Sequence, residues 1–503
     1  MTYDTKNDII LVFAKIKDQE IYKLNDLKIK TTEAPRENKM GTMPVNKLLL
    51  SVSLPMMISM LVQALYNIVD SLYVARISDT PNELNAISLA FAAQNFMIAV
   101  ATGTGVGINA LLSKSLGERD FKQANKVAAN GVFLALCSYI VFLVLGLTCM
   151  ESYMGWMTDD PVIIELGRQY LSICYIMSFG IFGEIVMERL MISTGKTNLA
   201  MITQGVGAII NIVFDPIFIF EKFDLGFITI NGFGLGIRGA AVATVFGQIV
   251  AFGVAILLNT KFNREIRLEI RGFRPSGRMI GRIYAIGIPS IIMASIGSVM
   301  NIMFNKILYS YTAVVEEVGK TVGTLAQNAF GAYFKLQSFI FMPIFGLNNG
   351  IVPIVAYNYG AQKRKRMTKT AKLGILYAVG YMAFGLVAFQ LLPEILLSFF
   401  NMQPAEIAVG IPCLRTISLS FIMAGFCIII GSVFQALGKS IFSMFVSITR
   451  QLVVLIPAAY LLSRIGNVDL VWWAFPIAEV ASVIISAIFF IRLYKTTISK
   501  IPQ

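Results

Sequence analysis

Histidine is absent from this chain of 503 residues, and only 14% of its residues are charged. Without histidine, the usual metal ligand and proton shuttle of neutral pH is missing. The five cysteines, Cys137, Cys149, Cys174, Cys413 and Cys427, sit in or beside apolar runs at no metal-ligand spacing. They read as small buried hydrophobes, so no metal site, no disulfide framework and no cofactor are expected. A charged fraction this far below the ~25% of soluble domains, with 56% hydrophobic residues and mean hydropathy +0.70, excludes an ordinary soluble protein. Short segments of alternating polarity, the mark of a membrane β-barrel, are missing too. Residues 1–45 lack a clean apolar core before a small-residue cleavage site, so the first apolar span is expected to insert uncleaved. The glycines Gly103, Gly105 and Gly107 have neither dinucleotide-loop spacing nor a following Lys-Ser/Thr, and ATP-driven transport has no support.

What is present is a series of apolar runs of 20 or more residues, with Pro and Gly inside them and charges between them. They predict spans near 48–74, 84–111, 124–147, 163–191, 196–220, 238–259, 281–309, 324–355, 371–397, 406–436, 440–463 and 470–493. The expected fold is therefore an all-α integral membrane protein with twelve transmembrane helices. Basic residues gather in alternate short loops: Lys114 to Lys126, Lys261 to Arg282, Lys363 to Lys372, then Arg492 and Lys495. By the positive-inside rule that side is cytoplasmic, and both termini lie on it. The net charge of +13 is thus a matter of topology, and no nucleic-acid partner is expected.

The chain also repeats itself. Pro55 and Asn67 match Pro289 and Asn301 at an offset of 234 residues. Farther on, GINALLSKSLGERD (107–120) aligns with GIVPIVAYNYGAQK (350–363) at an offset of 243, pairing Gly107 with Gly350 and Gly117 with Gly360. The difference of nine places an insertion in the polar stretch Val314 to Thr324. Six spans per half give both halves one orientation, related by an axis along the membrane normal. The expected organisation is a cytoplasmic extension (1–45), a first six-helix bundle (46–260), a cytoplasmic linker (261–281) and a pseudo-symmetric second bundle (282–498). Such paired bundles place a cavity on their axis and suit alternating access, which makes a transporter the leading reading. Residues 1–38 are expected to be dispensable.

A carboxylate at the membrane midplane costs about 3 kcal/mol, so each one needs a reason. Asp70 lies on the first span, Glu184 and Glu188 on the fourth, Asp215 on the fifth and Glu479 on the twelfth. Asn211 and Asp215 share a helix face, as do Asn67 and Asp70, with Gln63 one further turn back. Two carboxylates backed by amides could hold a proton or a small cation. The weaker alternative is that Asp70 and Asp215 lie close enough to their helix ends to be solvated or capping. Glu188 has its own plain explanation, a local pair with Arg189. The second half has Phe304, Val454 and Ala458 where the first has Asp70, Asn211 and Asp215. For Lys306, Lys335, Arg415 and Arg450 in the second half, snorkelling or helix-end solvation explains the charge at least as well as function.

In their order along residues 40–495, several stretches resemble the multidrug and toxic compound extrusion (MATE) family. They are Pro55 to Asp70, GVGINALLSKSLGERD, AIINIVFDPIFIF with LGIRGAAVATVFGQ, MPIFGLNNGIVPIVAYNYGA and FQALGKSIFSMFVSITRQLVVLIPAAYLL. The opening ENKMGTMPVNKLLLSVSLPMMISM looks most like the MepA-like branch, bacterial exporters of bulky lipophilic cations. The resemblance implies ion coupling at Asp70, Asn211 and Asp215, with Gln63 and Asn67 nearby, and substrate binding by Glu184, Glu188 and Asp215. The NorM-like branch instead uses acidic residues in spans seven and ten. Here only Glu406, at the outer edge of span ten, qualifies, which favours protons over sodium. The expectation is a monomeric antiporter of the plasma membrane that exchanges small lipophilic cations for protons. A flippase for a lipid-linked precursor is the alternative; an enzyme is disfavoured because no catalytic groups converge.

Overall fold

In hydrocarbon every backbone N–H and C=O must be satisfied within the chain, and helices do this segment by segment. A computed structural model describes residues 37–74, 76–77, 82–224, 229–268, 273–316, 319–400 and 402–502. Among them, ten helices are long and apolar enough to cross a bilayer, and two bent helix pairs complete the twelve spans. Spans 1 to 6 are Val45–Val74, Asn82–Gly117, Phe121–Thr148, Pro161–Ile176 with Phe179–Ser193, Thr197–Ile219 and Ile237–Phe262. Spans 7 to 12 are Gly277–Tyr309, Val322–Gly360, Arg364–Leu391, Pro404–Ser418 with Phe421–Ala436, Ser440–Ser463 and Val468–Lys500. The Arg271 loop, Glu317 and residues 1–36 lie outside the described residues.

Spans 4 and 10 read as continuous apolar runs, but they bend by 46° and 47°. The breaks fall at Met177–Ser178 and Leu419–Ser420, where no proline announces them; at the second, the Ser420 hydroxyl donates to the Ile417 carbonyl at 2.6 Å and draws the chain out of register. Pro161 and Pro404, each opening its span, stand 243 residues apart. So do Arg119 and Gln362, whose φ angles are 58° and 57°, and Gly195 and Gly438, at 79° and 74°. The duplication therefore reaches individual backbone angles.

Span 1 packs along span 8 and span 2 along span 7, the exchange that a two-fold repeat demands, and span 2 also meets span 8. Glycine permits the crossings. A Cβ on Gly117 would stand 2.0 Å from the Tyr357 carbonyl oxygen, and one on Gly360 would stand 2.2 Å from that of Lys114. Gly103 against Ile291 and Gly346 against Met57 form a second symmetric pair. All these contacts lie toward the side bearing the 118–120 and 361–363 loops, and they close the two halves there.

The segment before span 1 is tied to both halves, starting with Glu37 and Asn38 at the end of the stretch expected to be dispensable. Its short helix Lys39–Thr42 lodges against both halves, with Met40 fully buried. Glu37 pairs with Lys363 and lies 3.8 Å from Arg119. Asn38 donates to the Thr194 carbonyl at 3.0 Å and to Glu265 at 2.6 Å. Arg366 and Asn358 donate to the Met40 carbonyl at 3.1 and 3.0 Å. The neighbouring Lys363 holds the Glu37 carboxyl below its usual range by a hydrogen bond and by charge, helped by Arg119 and Arg366. The Val314–Thr324 insertion contains a small hairpin, Val314–Val315 with Lys320–Thr321. Lys320 extends from it to Glu406 at 3.0 Å.

Candidate functional site

In the first half, spans 1, 5 and 6 bring polar groups together where lipid would otherwise require apolar ones. Asp215 is fully buried, ahead of Pro216 on span 5; its Oδ1 accepts from Asn211 Nδ2 at 3.2 Å. Asn211 also reaches Thr244 Oγ1 on span 6 at 3.5 Å. Asp70 lies on span 1, which packs along span 5. Neither carboxylate caps a helix, and Asp215 has no access to solvent, so the helix-end explanation does not hold for it.

The cluster holds more acceptors than donors. Asp70 Oδ1, Asp215 Oδ2 and Asn211 Oδ1 are buried with no hydrogen-bond partner. An orphaned buried acceptor costs about 1–3 kcal/mol, more when charged, and three together constitute a site that a positive ion would complete. Gln63 is half-buried on the same span, whereas Asn67 is exposed; only its carbonyl is engaged, by Ser71. Tyr66 stands on span 1 between Gln63 and Asp70 and is half-buried.

On span 4, Glu184 is partly buried and Glu188 is almost wholly so. Glu188 is not paired with Arg189 as the local explanation would have it. Gln204 donates to its Oε2 at 2.9 Å, Ser59 donates in turn to Gln204, and Oε1 remains buried and unpartnered. Arg189 instead crosses to the second half and donates to Asn349 Oδ1 at 2.9 Å. Gln204 was legible as the first member of a stripe, Gln204, Asn211 and Asp215, on one helix face. The partners Thr244 and Asn349 were not, because nothing local ties them to the acids.

Span 2 and the second half enclose a cavity of about 650 Å³, lined by aromatic and amide side chains, whose charged lining residues are Arg450 and Glu479. Arg450 Nη1 lies 2.7 Å from Glu479 Oε1. The snorkelling reading of Arg450 is thereby overturned. Ten residues into span 11, it lies roughly 15 Å from that helix end at 1.5 Å per residue, too deep to reach water along the lipid face. Glu406 is fully committed to structure, accepting from Lys320, Asn328 and the Gln403 N–H.

Two six-span bundles of like topology, closed on one face around a central cavity and holding buried carboxylates, define the architecture of a secondary transporter. The MatE family model matches residues 55–217 and 302–461, most of both halves, and the chain belongs to that family. It is 24% identical over 433 residues to the multidrug export protein MepA of Staphylococcus haemolyticus, covering 86% of this chain and 90% of that one. MepA of Staphylococcus aureus is 23% identical over 436 residues, 87% of this chain and 91% of its own. A solved outward-facing structure of a multidrug resistance MATE family transporter superposes with a TM-score of 0.83 at 23% identity, over 92% of this chain and all of that one.

Proposed function

We propose that this chain is a multidrug exporter of the plasma membrane that exchanges hydrophobic, mainly cationic compounds for protons, with both termini in the cytoplasm. The observation that carries the reading is the trio of unpartnered acceptors at Asp70, Asn211 and Asp215. Unfilled carboxylate and amide oxygens of this kind accept a proton or a cation. Without histidine in the chain, carboxylates are the groups able to exchange protons.

Coupling requires the ion and the drug to bias one two-state bundle in opposite directions. Glu188 keeps a free buried oxygen, and this supports a reading in which the two acids of span 4 hold the charge of a lipophilic cation. With the basic loops inside, the closed glycine crossings lie on the cytoplasmic face and the cavity opens outward. The flippase reading is weaker: a polyphosphate needs several Arg or Lys side chains, and among the described residues Arg450 is the one basic side chain lining the cavity.

Efflux of a lipophilic cation from proteoliposomes, with pH and sodium gradients imposed separately, tests the proposal. A pH gradient alone should drive accumulation. Accumulation driven only by sodium would replace the proton as coupling ion, and none under either gradient would refute export.

A further inference from the structure

Six aromatic rings stand in a cavity wall that is otherwise aliphatic or polar and almost uncharged, yet it contains one buried ion pair, and the pair is only half made. Arg450 contributes Nη1 to Glu479, and no other hydrogen bond from its guanidinium occurs among the described residues. About a quarter of its side chain remains exposed, toward the cavity that it lines. Glu479 is 7% exposed, and its Oε2 is buried with no partner. A buried pair contributes little to stability even when its fork is complete, so an incomplete one needs another reason to be there. The helix itself departs from regularity at this point: Thr449–Leu455 forms a π-helical turn, which brings the successive residues Arg450 and Gln451 to the same cavity.

We propose that this cavity is a second ligand site, built for an aromatic molecule with a single anionic group, which Arg450 anchors while Glu479 serves as its resident counter-ion. The sign of the charge follows from access. The carboxylate's free oxygen faces away from open space, whereas the guanidinium's free donors face into it, so the reachable partner is the cation. A carboxylate or sulfonate takes two parallel N–H donors from such a fork, and Phe91, Tyr333, Phe341 and Phe475 supply flat apolar walls for the ring. A cavity of about 650 Å³ accommodates a drug-sized body. The first-half carboxylates take no part, so this site does not depend on the cation-export reading.

The test is equilibrium dialysis of radiolabelled naphthalene-1-acetate, and of its uncharged amide, against the full chain in lipid nanodiscs. The carboxylate should bind saturably and about tenfold more tightly than the amide, the margin of one charge-assisted hydrogen bond. Arg450→Gln combined with Glu479→Gln, a neutral pair of like shape, should erase that preference and leave amide binding within about twofold. Glu479→Gln alone removes the competitor for Arg450 and should tighten carboxylate binding by about tenfold. The proposal is overturned by a lack of saturable carboxylate binding, by a preference that survives the double substitution, or by unchanged or weaker binding in Glu479→Gln, which serves as the readout should the double variant not fold.

Discussion

The two halves of this molecule share a frame and differ in what fills it. At equivalent positions stand Gly117 and Gly360 at the crossing of spans 2 and 8, Pro161 and Pro404 opening the bent spans, and Arg119 and Gln362 with the same unusual φ. The polar positions diverge. Where the first half has Asp70, the second has Phe304, fully buried, with its ring 4.7 Å from Phe330 and 5.1 Å from Phe475. Glu184 and Glu188 face Cys427 and Gly431 in the repeat, and Gly207 answers to Arg450. Duplication has kept what lets the helices cross and bend, and the chemistry has become one-sided: acceptors without partners in the first half, an aromatic cavity with one neutral ion pair in the second.

If the frame is shared, damage to it should be symmetric. Gly117→Val and Gly360→Val each drive a carbon into a carbonyl oxygen of the opposite half, at 2.0 and 2.2 Å. Overpacking of this kind costs about 1–3 kcal/mol or more, so each should depopulate the closed face by about tenfold or more and abolish most transport. A cysteine placed at Ser53, now 1% exposed, should become reactive to a thiol reagent from that face in both variants. Unequal effects would break the symmetry of the comparison.

If the chemistry is one-sided, equivalent polar and aromatic positions should fail in different ways. Phe304→Ala should lower stability by about 3–5 kcal/mol, seen as an earlier thermal transition, with coupling retained in what remains folded. Asp70→Ala should keep the protein at least as stable, since it removes an unsatisfied buried acceptor, and should lose gradient-driven export. Measured side by side, identical phenotypes would contradict the assignment.

The smallest effects belong to the segment that bridges both halves. Removing residues 1–36 should leave transport unchanged, whereas Glu37→Gln should change the transport rate only a few-fold, by loosening one partly exposed ion pair worth up to about 1 kcal/mol. Its pH dependence has a definite sign. The Glu37 carboxyl is lowered by Lys363, so its contribution is complete above the ordinary carboxylate range and lost only as pH falls through the lowered value. Between about pH 6 and 8 the difference between Glu37→Gln and the unaltered protein should therefore be flat. A slope in that window would mean that another group controls the latch.

Most of this architecture was legible because the membrane imposes it. Apolar runs, basic loops and two offsets of 234 and 243 suffice for twelve spans in paired bundles. The breaks in spans 4 and 10 were not legible, since Ser178 and Ser420 sit in unbroken apolar sequence with no proline to mark them, and the hydroxyl to carbonyl bond at Ser420 leaves no pattern in the sequence. Asp70, Asn211 and Asp215 stood out by the cost of burying them. Thr244 and Asn349 became visible only as partners, because a hydrogen bond between spans leaves no local periodicity. Arg450 was misread from the residue type alone; its depth within span 11 already spoke against snorkelling. The Val314–Thr324 insertion gained a meaning only when its hairpin delivered Lys320 to Glu406.

The central claim is that the unpartnered acceptors of Asp70, Asn211 and Asp215 hold the ion that drug binding expels. The direct measurement is proton release from the purified, weakly buffered protein on addition of a saturating lipophilic cation, followed with a pH indicator beside a direct binding measurement of the same cation. The unaltered protein should release protons in proportion to cation bound, and Asp70→Asn and Asp215→Asn should bind the cation yet release markedly fewer. Release that persists undiminished in both variants would place the exchanging protons elsewhere, with Glu184 and Glu188 next in line.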